Sequence, residues 1–231
     1  MPNYQKIKRR ILLVEDHPMS RMGLKMMIEG EKDLCVCDEV DNAGSALDAA
    51  VRLLPDLVIS DVSLPGRSGF ELVQDLRAAC PDVPVLILSM HSEKTYARRS
   101  LEVGARGYIM KSSDSATILA AVRTVLSGRI SVSPAIAGQL LEFFADQSKH
   151  KKTGIETLTP REFEVFKFIA EGASTHVIAT RLNMSPKTVD SHRSNIKQKL
   201  NAATMNQLTA QAAGWFAMQS MAELPESAKV A

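Results

Sequence analysis

The first half of the chain alternates short apolar runs with longer segments whose apolar residues recur every three to four positions. The short runs predict strands at 10–14, 34–40, 57–60, 84–89 and 107–110. The longer ones predict helices at 18–30, 43–53, 68–79, 93–103 and 114–127. Pro18 and Ser45 fall near helix starts, and Pro55, Pro81 and Pro84 fall in connections, where a missing N–H does little harm. Five strand-then-helix repeats call for a doubly wound α/β domain, a five-stranded parallel sheet covered on both faces.

Gly128 closes the last of these helices, and 129–157 reads as a connector with one short helix from Ser133-Pro134 to Ala145. Residues 147–154 are polar, charged and aperiodic, the signature of a tether. From Leu158 the pattern is wholly helical. Thr159-Pro160-Arg161-Glu162 opens a helix with Phe163, Val165, Phe166, Ile169 and Ala170 on its apolar face, and Gly172 ends it. Ser174 or Thr175 caps the next helix. Asn183-Met184-Ser185 is a turn, with Ser185 as N-cap and Pro186 directly after it. A basic helix follows and carries Val189, Ile196 and Leu200 inward, which makes a helix-turn-helix. Thr204 opens a fourth helix, so the second domain is small and all-α.

A length of 231 residues suits two modest domains. No apolar stretch approaches the roughly 20 residues a membrane span needs, and the basic segment 1–10 lacks the apolar core of a secretory signal. A cytoplasmic protein without a membrane partner is expected. Cys35, Cys37 and Cys80 lack metal-type spacing and read as buried, reduced thiols. Charge is nearly balanced overall, yet between Ser185 and Leu200 Lys187, Arg193, Lys197 and Lys199 face only Asp190. That local excess suits a polyanion, although a basic helix face is more often merely solvated.

The strongest chemical signal lies where apolar runs stop. Glu15-Asp16 ends the first, Asp61 the third, Ser89 the fourth, and Lys111 the fifth. In an open parallel sheet the ligand crevice lies beyond the carboxyl ends of the strands. Three carboxylates there repel one another unless a divalent cation joins them, and oxygen-only ligation favours Mg2+. The set reads as a magnesium-assisted phosphoryl acceptor. Singly, each residue has a duller reading: Asp61 as a turn cap, Ser89 as a local backbone partner, Lys111 as a surface lysine, Tyr108 equally as a core aromatic. Glu15, Asp16, Asp61, Ser89 and Lys111 at four separate strand ends outweigh these readings together.

On these motifs residues 10–128 resemble the receiver domain of two-component response regulators, whose sheet is flavodoxin-like. Residues 158–213 resemble the LuxR-type helix-turn-helix output domain of the NarL/FixJ-like regulators. The resemblance implies a receiver at 8–128, a linker at 129–157, a DNA-binding domain at 158–221 and a tail at 222–231. It implies that Asp61 is the phosphoacceptor, and that Glu15, Asp16, Asp61 and the backbone carbonyl of Ser63 ligate Mg2+. Ser89 is then the switch hydroxyl, Tyr108 the switch aromatic and Lys111 the partner of the phosphoryl charge. A sensor histidine kinase or phosphotransfer protein would donate the phosphate. Double-stranded DNA, a second copy of the chain bound on phosphorylation, and RNA polymerase are the other expected partners.

For the recognition helix, Lys187, Thr188, His192, Arg193, Lys197 and Lys199 are the candidates for phosphate contacts. By alignment to the family motif, Asp190, Ser191 and Ser194 take the base-facing positions, where relatives carry Lys or Arg. Asp190 can accept from a cytosine amino group, and reads equally as a helix-start carboxylate placed by the dipole. Ser63 and His91 occupy positions that influence water access to an acyl phosphate in receivers, and neither orients water well. Two other readings are weaker. An aspartyl-phosphate phosphohydrolase of the haloacid-dehalogenase kind needs a second Asp where Ser63 stands, so a non-enzymatic protein is expected. A small-ligand sensor would need an apolar pocket, against 5% aromatic residues.

Overall fold

The computed structural model describes residues 8–145 and 154–222, in two compact units, Met1–Ser148 and Lys149–Ala231. Most of the tether and of the tail lies outside the described residues. In the first unit β1 (Arg9–Val14), β2 (Leu34–Val40), β3 (Leu57–Ser60), β4 (Val85–Ser89) and β5 (Gly107–Met110) form one parallel sheet, ordered β2-β1-β3-β4-β5. Helices α1 (Pro18–Glu29), α2 (Ala43–Leu53), α3 (Gly69–Ala79), α4 (Glu93–Val103) and α5 (Ser115–Leu126) follow the strands in turn. Each expected element is present, its ends shifted by no more than one residue.

Alternation along the strands builds two cores. Ile11, Leu13, Ile59, Leu88 and Ile109 pack with Ile28 of α1 and with Ile118 and Val122 of α5. The intervening Leu12, Val58 and Ile87 are fully buried on the opposite face. Parallel register then sets the strand ends level. Val14 lies opposite Ser60, Ser60 opposite Ile87, and Ser89 opposite Met110. The residue after each strand therefore emerges at one edge of the sheet, which is how Glu15, Asp61 and Lys111 come together.

The connector helix α6 (Pro134–Ala145) belongs to the first unit, packed on α4 with Ile136 buried. The chain before it runs along the open edge of β5. Tyr108 N–H donates to the Ser131 carbonyl at 2.9 Å, and Ser131 N–H donates to that of Arg106 at 3.0 Å. Ser133 N–H donates to Glu93 Oε1 at 2.9 Å, fixing the start of α6 on α4. A Cβ on Gly107 would stand 2.8 Å from the Ser131 oxygen and as close to Leu86 Cδ1. Gly107 thus lets the connector approach the sheet.

In the second unit a 3-10 turn (Gly154–Thr157) precedes α7 (Pro160–Ala170), α8 (Thr175–Arg181), α9 (Pro186–Lys199) and α10 (Met205–Ala222). Thr159 and Glu162 form a capping box at the start of α7, a motif that contributes about 1 kcal/mol. Phe163, Phe166, Ile178, Val189, Ile196 and Leu208 fill the core, with Trp215 edge-on to Phe163 at 5.5 Å. Ser174 caps α8 and Ser185 caps α9, while Asn183 takes the left-handed turn conformation between them at φ 48°. The fourth helix, opened near Thr204, runs to Ala222.

Candidate functional site

At the carboxyl edge of the sheet Lys111 Nζ lies 2.7 Å from Asp61 Oδ2 and 2.5 Å from Glu15 Oε2. All three are well shielded, with Glu15 1% and Asp61 5% exposed. Burial disfavours the charged lysine, but the Asp61 and Glu15 carboxylates outweigh it and hold Lys111 above its ordinary pKa. The other Asp61 oxygen, Oδ1, is buried and has no hydrogen-bond partner. A lone buried carboxylate oxygen is costly, and such an atom marks a place built to meet a ligand. Asp16 and His17 complete the rim, and one ligand atom each from Glu15, Asp16, His17 and Asp61 fall within 4.8 Å of one another. The carboxylates suit a hard divalent cation.

Ser89, Tyr108, Ser63 and His91 form a second group beside this pocket. His91 N–H donates to Ser89 Oγ at 3.2 Å, and Tyr108 Oη donates to the His91 carbonyl at 2.7 Å. Ser63 Oγ and His91 Nε2 share a hydrogen bond of 3.0 Å, and the His91 ring stacks on Tyr96 at 4.6 Å. Tyr108 is buried, and that burial holds its phenol protonated, far above its ordinary range. Beyond the position beside the acyl phosphate that the sequence assigns it, His91 joins both strand ends to α4. No sequence pattern announces that role, because it runs through backbone atoms.

Along α9, Lys187, Asp190, Ser191, Ser194 and Asn195 line one open, shallow concavity. The three base-facing candidates therefore share a surface with Lys187. Asn195 was missed, although its spacing of four from Ser191 and eight from Lys187 places it on the same helix face. Lys199 and Arg193 are engaged within the unit. Lys199 Nζ pairs with Glu162 Oε2 at 2.6 Å, and Glu162 Oε2 also accepts from Thr159 N–H at 2.7 Å. Burial opposes ionisation of Glu162, but Lys199 and Thr159 outweigh it and hold the carboxyl below its ordinary range. Arg193 Nη1 donates to Thr175 Oγ1 at 2.6 Å, and Thr175 Oγ1 donates to Asp190 Oδ1 at 3.1 Å. Arg161 is the other missed residue: buried, it donates to the Leu182 carbonyl at 2.8 Å and ties α7 to the turn.

An acidic strand-end pocket in one unit and a helix-turn-helix in the other define a signal-controlled DNA-binding protein. Residues 11–123 match the response regulator receiver domain, and residues 156–212 match the luxR family of bacterial regulatory proteins. The chain is 39% identical over 203 residues to the transcriptional activator protein ExaE of Pseudomonas putida, covering 86% of this chain and 92% of that protein. It is 32% identical over 194 residues to a nitrate/nitrite response regulator protein homolog of Haemophilus influenzae, covering 84% and 91%. A crystal structure of a LuxR-family two-component response regulator from Aurantimonas sp. SI85-9A1 superposes with a TM-score of 0.56 at 36% identity, covering 60% of this chain and 99% of that one. The chain belongs to the LuxR-type two-component response regulators, DNA-binding regulators of transcription. No helix among the described residues is long and apolar enough to cross a membrane.

Proposed function

We propose that Asp61 accepts a phosphoryl group from a sensor histidine kinase or phosphotransfer protein, and that the resulting acyl phosphate drives dimerisation and sequence-specific binding to double-stranded DNA. The observation that carries this reading is the buried Asp61 carboxylate, one oxygen on Lys111 and the other without a partner. An Asp61 oxygen attacks the phosphorus as the bond to the donor nitrogen breaks, and Lys111 offsets charge on the transferred group. Glu15, Asp16, Asp61 and the Ser63 carbonyl would hold Mg2+, which when bound neutralises phosphoryl oxygens. Ser89 and Tyr108 then move toward the filled site, and Tyr108 must release the His91 carbonyl to do so. The reaction takes place in the cytoplasm, and RNA polymerase is a further partner of the DNA-bound form.

Ser63 and His91 share a hydrogen bond, and neither offers the carboxylate or amide best suited to orient an attacking water. The acyl phosphate is therefore long-lived: label on purified protein should persist for minutes or more. Loss within seconds without added phosphatase contradicts this.

For DNA, three short base-facing side chains give one subunit thin specificity, and two subunits on one site double the readout. The exposed face of α10 suits a second copy, since Ala210, Ala213, Gly214 and Ala217 carry no charge. Sedimentation and footprinting with and without phosphate test the reading. A fully phosphorylated monomer protecting a single half-site overturns it. Two lysines separate contact from support. Lys197→Ala should weaken binding to all sequences and lower the salt slope by about one unit. Lys199→Ala should leave that slope alone and cost about 1 kcal/mol of stability, since its partly exposed pair with Glu162 is screened. That loss should fade as pH falls through the Glu162 pKa, because a depressed carboxyl contributes only above it. Equal salt slopes for the two variants would remove the distinction.

A further inference from the structure

We propose that Asp190 reads a cytosine in the bound DNA, and that Thr175 and Arg193 are the positioning residues that hold it in place to do so. The inference rests on the reading of α9 as the recognition helix and names the base that one of its side chains selects. Arg193 Nη1 donates to Thr175 Oγ1 at 2.6 Å, and Thr175 Oγ1 donates to Asp190 Oδ1 at 3.1 Å. The direction of this chain is forced. A guanidinium only donates and a carboxylate only accepts, so the single hydroxyl proton between them has one place to go. With an ion at each end, both bonds are charge-assisted and each polarises the other.

Two duller accounts of Asp190 fit less well. As a carboxylate placed by the helix dipole it would belong in the first turn of α9, where the dipole acts. That turn holds no acidic residue, and Asp190 lies beyond it. As a plain tie between α8 and α9 it would need only Thr175. Arg193 is the second observation: its guanidinium is drawn inward, with Nε buried and without a hydrogen-bond partner. An arginine turned outward to a phosphate would keep that N–H in water, and a buried unpaired donor is costly. The inward placement makes sense if Arg193 is there to set the Thr175 hydroxyl.

Asp190 remains exposed and lines the open concavity of α9 beside Lys187 and Ser191. Thr175 takes Oδ1, so Oδ2 is the oxygen left to meet a base edge. In the major groove only cytosine and adenine present an amino donor, while guanine and thymine present acceptors that repel a carboxylate. Adenine sets its N7 acceptor beside the amino group, whereas cytosine carries no acceptor there. A carboxylate held in one place therefore favours cytosine. One free to swing would settle for either amino group.

The test uses the full-length protein treated with acetyl phosphate. Duplexes are selected from a random pool, and each cytosine that selection requires is then replaced by the other three bases. At one such position the wild type should lose at least about fivefold in affinity on every replacement, the lower end of what a good base contact is worth. Asp190→Asn, at an exposed position, should move the preference there to adenine, whose N6 and N7 an amide meets together. Thr175→Val keeps the shape and loses the hydroxyl. It should flatten the preference at that position to less than about twofold and leave the salt slope alone, and Thr175→Ser should restore the preference. A Thr175→Val protein that weakens equally on all sequences and keeps the cytosine makes the hydroxyl a structural tie and overturns the positioning role. Selected sites without a required cytosine, or a preference that Asp190→Asn leaves unchanged, overturn the base assignment while α9 still stands as the recognition helix. A wild type that retains no duplex at all overturns that underlying reading.

Discussion

Asp61→Asn should reduce phosphoryl transfer from acetyl phosphate, with Mg2+ present, to background. The amide is a poor nucleophile and a weaker ligand than the carboxylate, so the variant loses attack and cation binding together. Folding should survive, because Lys111 keeps its contact with Glu15 and the side chain keeps its shape. The denaturation midpoint therefore serves as the control, and the labelled fraction as the readout. DNA binding by Asp61→Asn should no longer respond to phosphate donors. Stable labelling of the variant at wild-type stoichiometry would move the acceptor to another residue, and none of the neighbouring carboxylates is so well shielded from water except Glu15.

Most of the receiver was legible because two independent signals agreed. Short continuous apolar runs marked the buried strands and a three-to-four-residue recurrence marked the helices, and each apolar run stopped at the residue now found at the sheet edge. A parallel register needs nothing more to gather Glu15, Asp61 and Lys111. The start of α7 at Thr159 was equally local, and the structure adds capping boxes of Ser68 with Glu71 at α3 and of Thr159 with Glu162 at α7. Each involves residues three apart in sequence.

What escaped the sequence depends on pairs far apart along the chain. Lys199 looked like one more cation on a basic helix, yet 37 positions away Glu162 takes it. Arg193 likewise looked free, and Thr175 holds it. A helix face can be read from periodicity, but which of its cations a neighbouring helix claims cannot. The same holds for His91, whose partners lie on three other segments, and for Gly107, whose neighbour Ser131 belongs to the connector. Charge counts along α9 therefore overstate what is free to meet phosphate.

Gly69→Ala should be among the most damaging small substitutions in the first unit. Gly69 is the first residue of α3, and its N–H donates to the Val62 carbonyl at 2.8 Å. A Cβ there would stand 2.0 Å from the Asp61 carbonyl oxygen and 3.0 Å from Val62 Cα. Both neighbours are backbone, so no side chain can swing aside. Either α3 retreats or the segment carrying Asp61 does. Overpacking normally costs about 1–3 kcal/mol, and backbone contact this close places the expected loss at about 3 kcal/mol or above. For a domain with a net stability of about 5–15 kcal/mol, that is a large fraction. Phosphoryl acceptance should fall with it, since the shift acts on the peptide of the acceptor itself. Gly23→Ala in the middle of α1 is the matched control, because a Cβ there meets nothing within 4 Å. That change should instead stabilise by about 0.5–1 kcal/mol through helix propensity. Urea midpoints and acetyl phosphate labelling of both variants decide the question. A Gly69→Ala protein with wild-type midpoint and labelling would show that the loop after Asp61 yields freely, and the site would then be far less rigid than its packing implies.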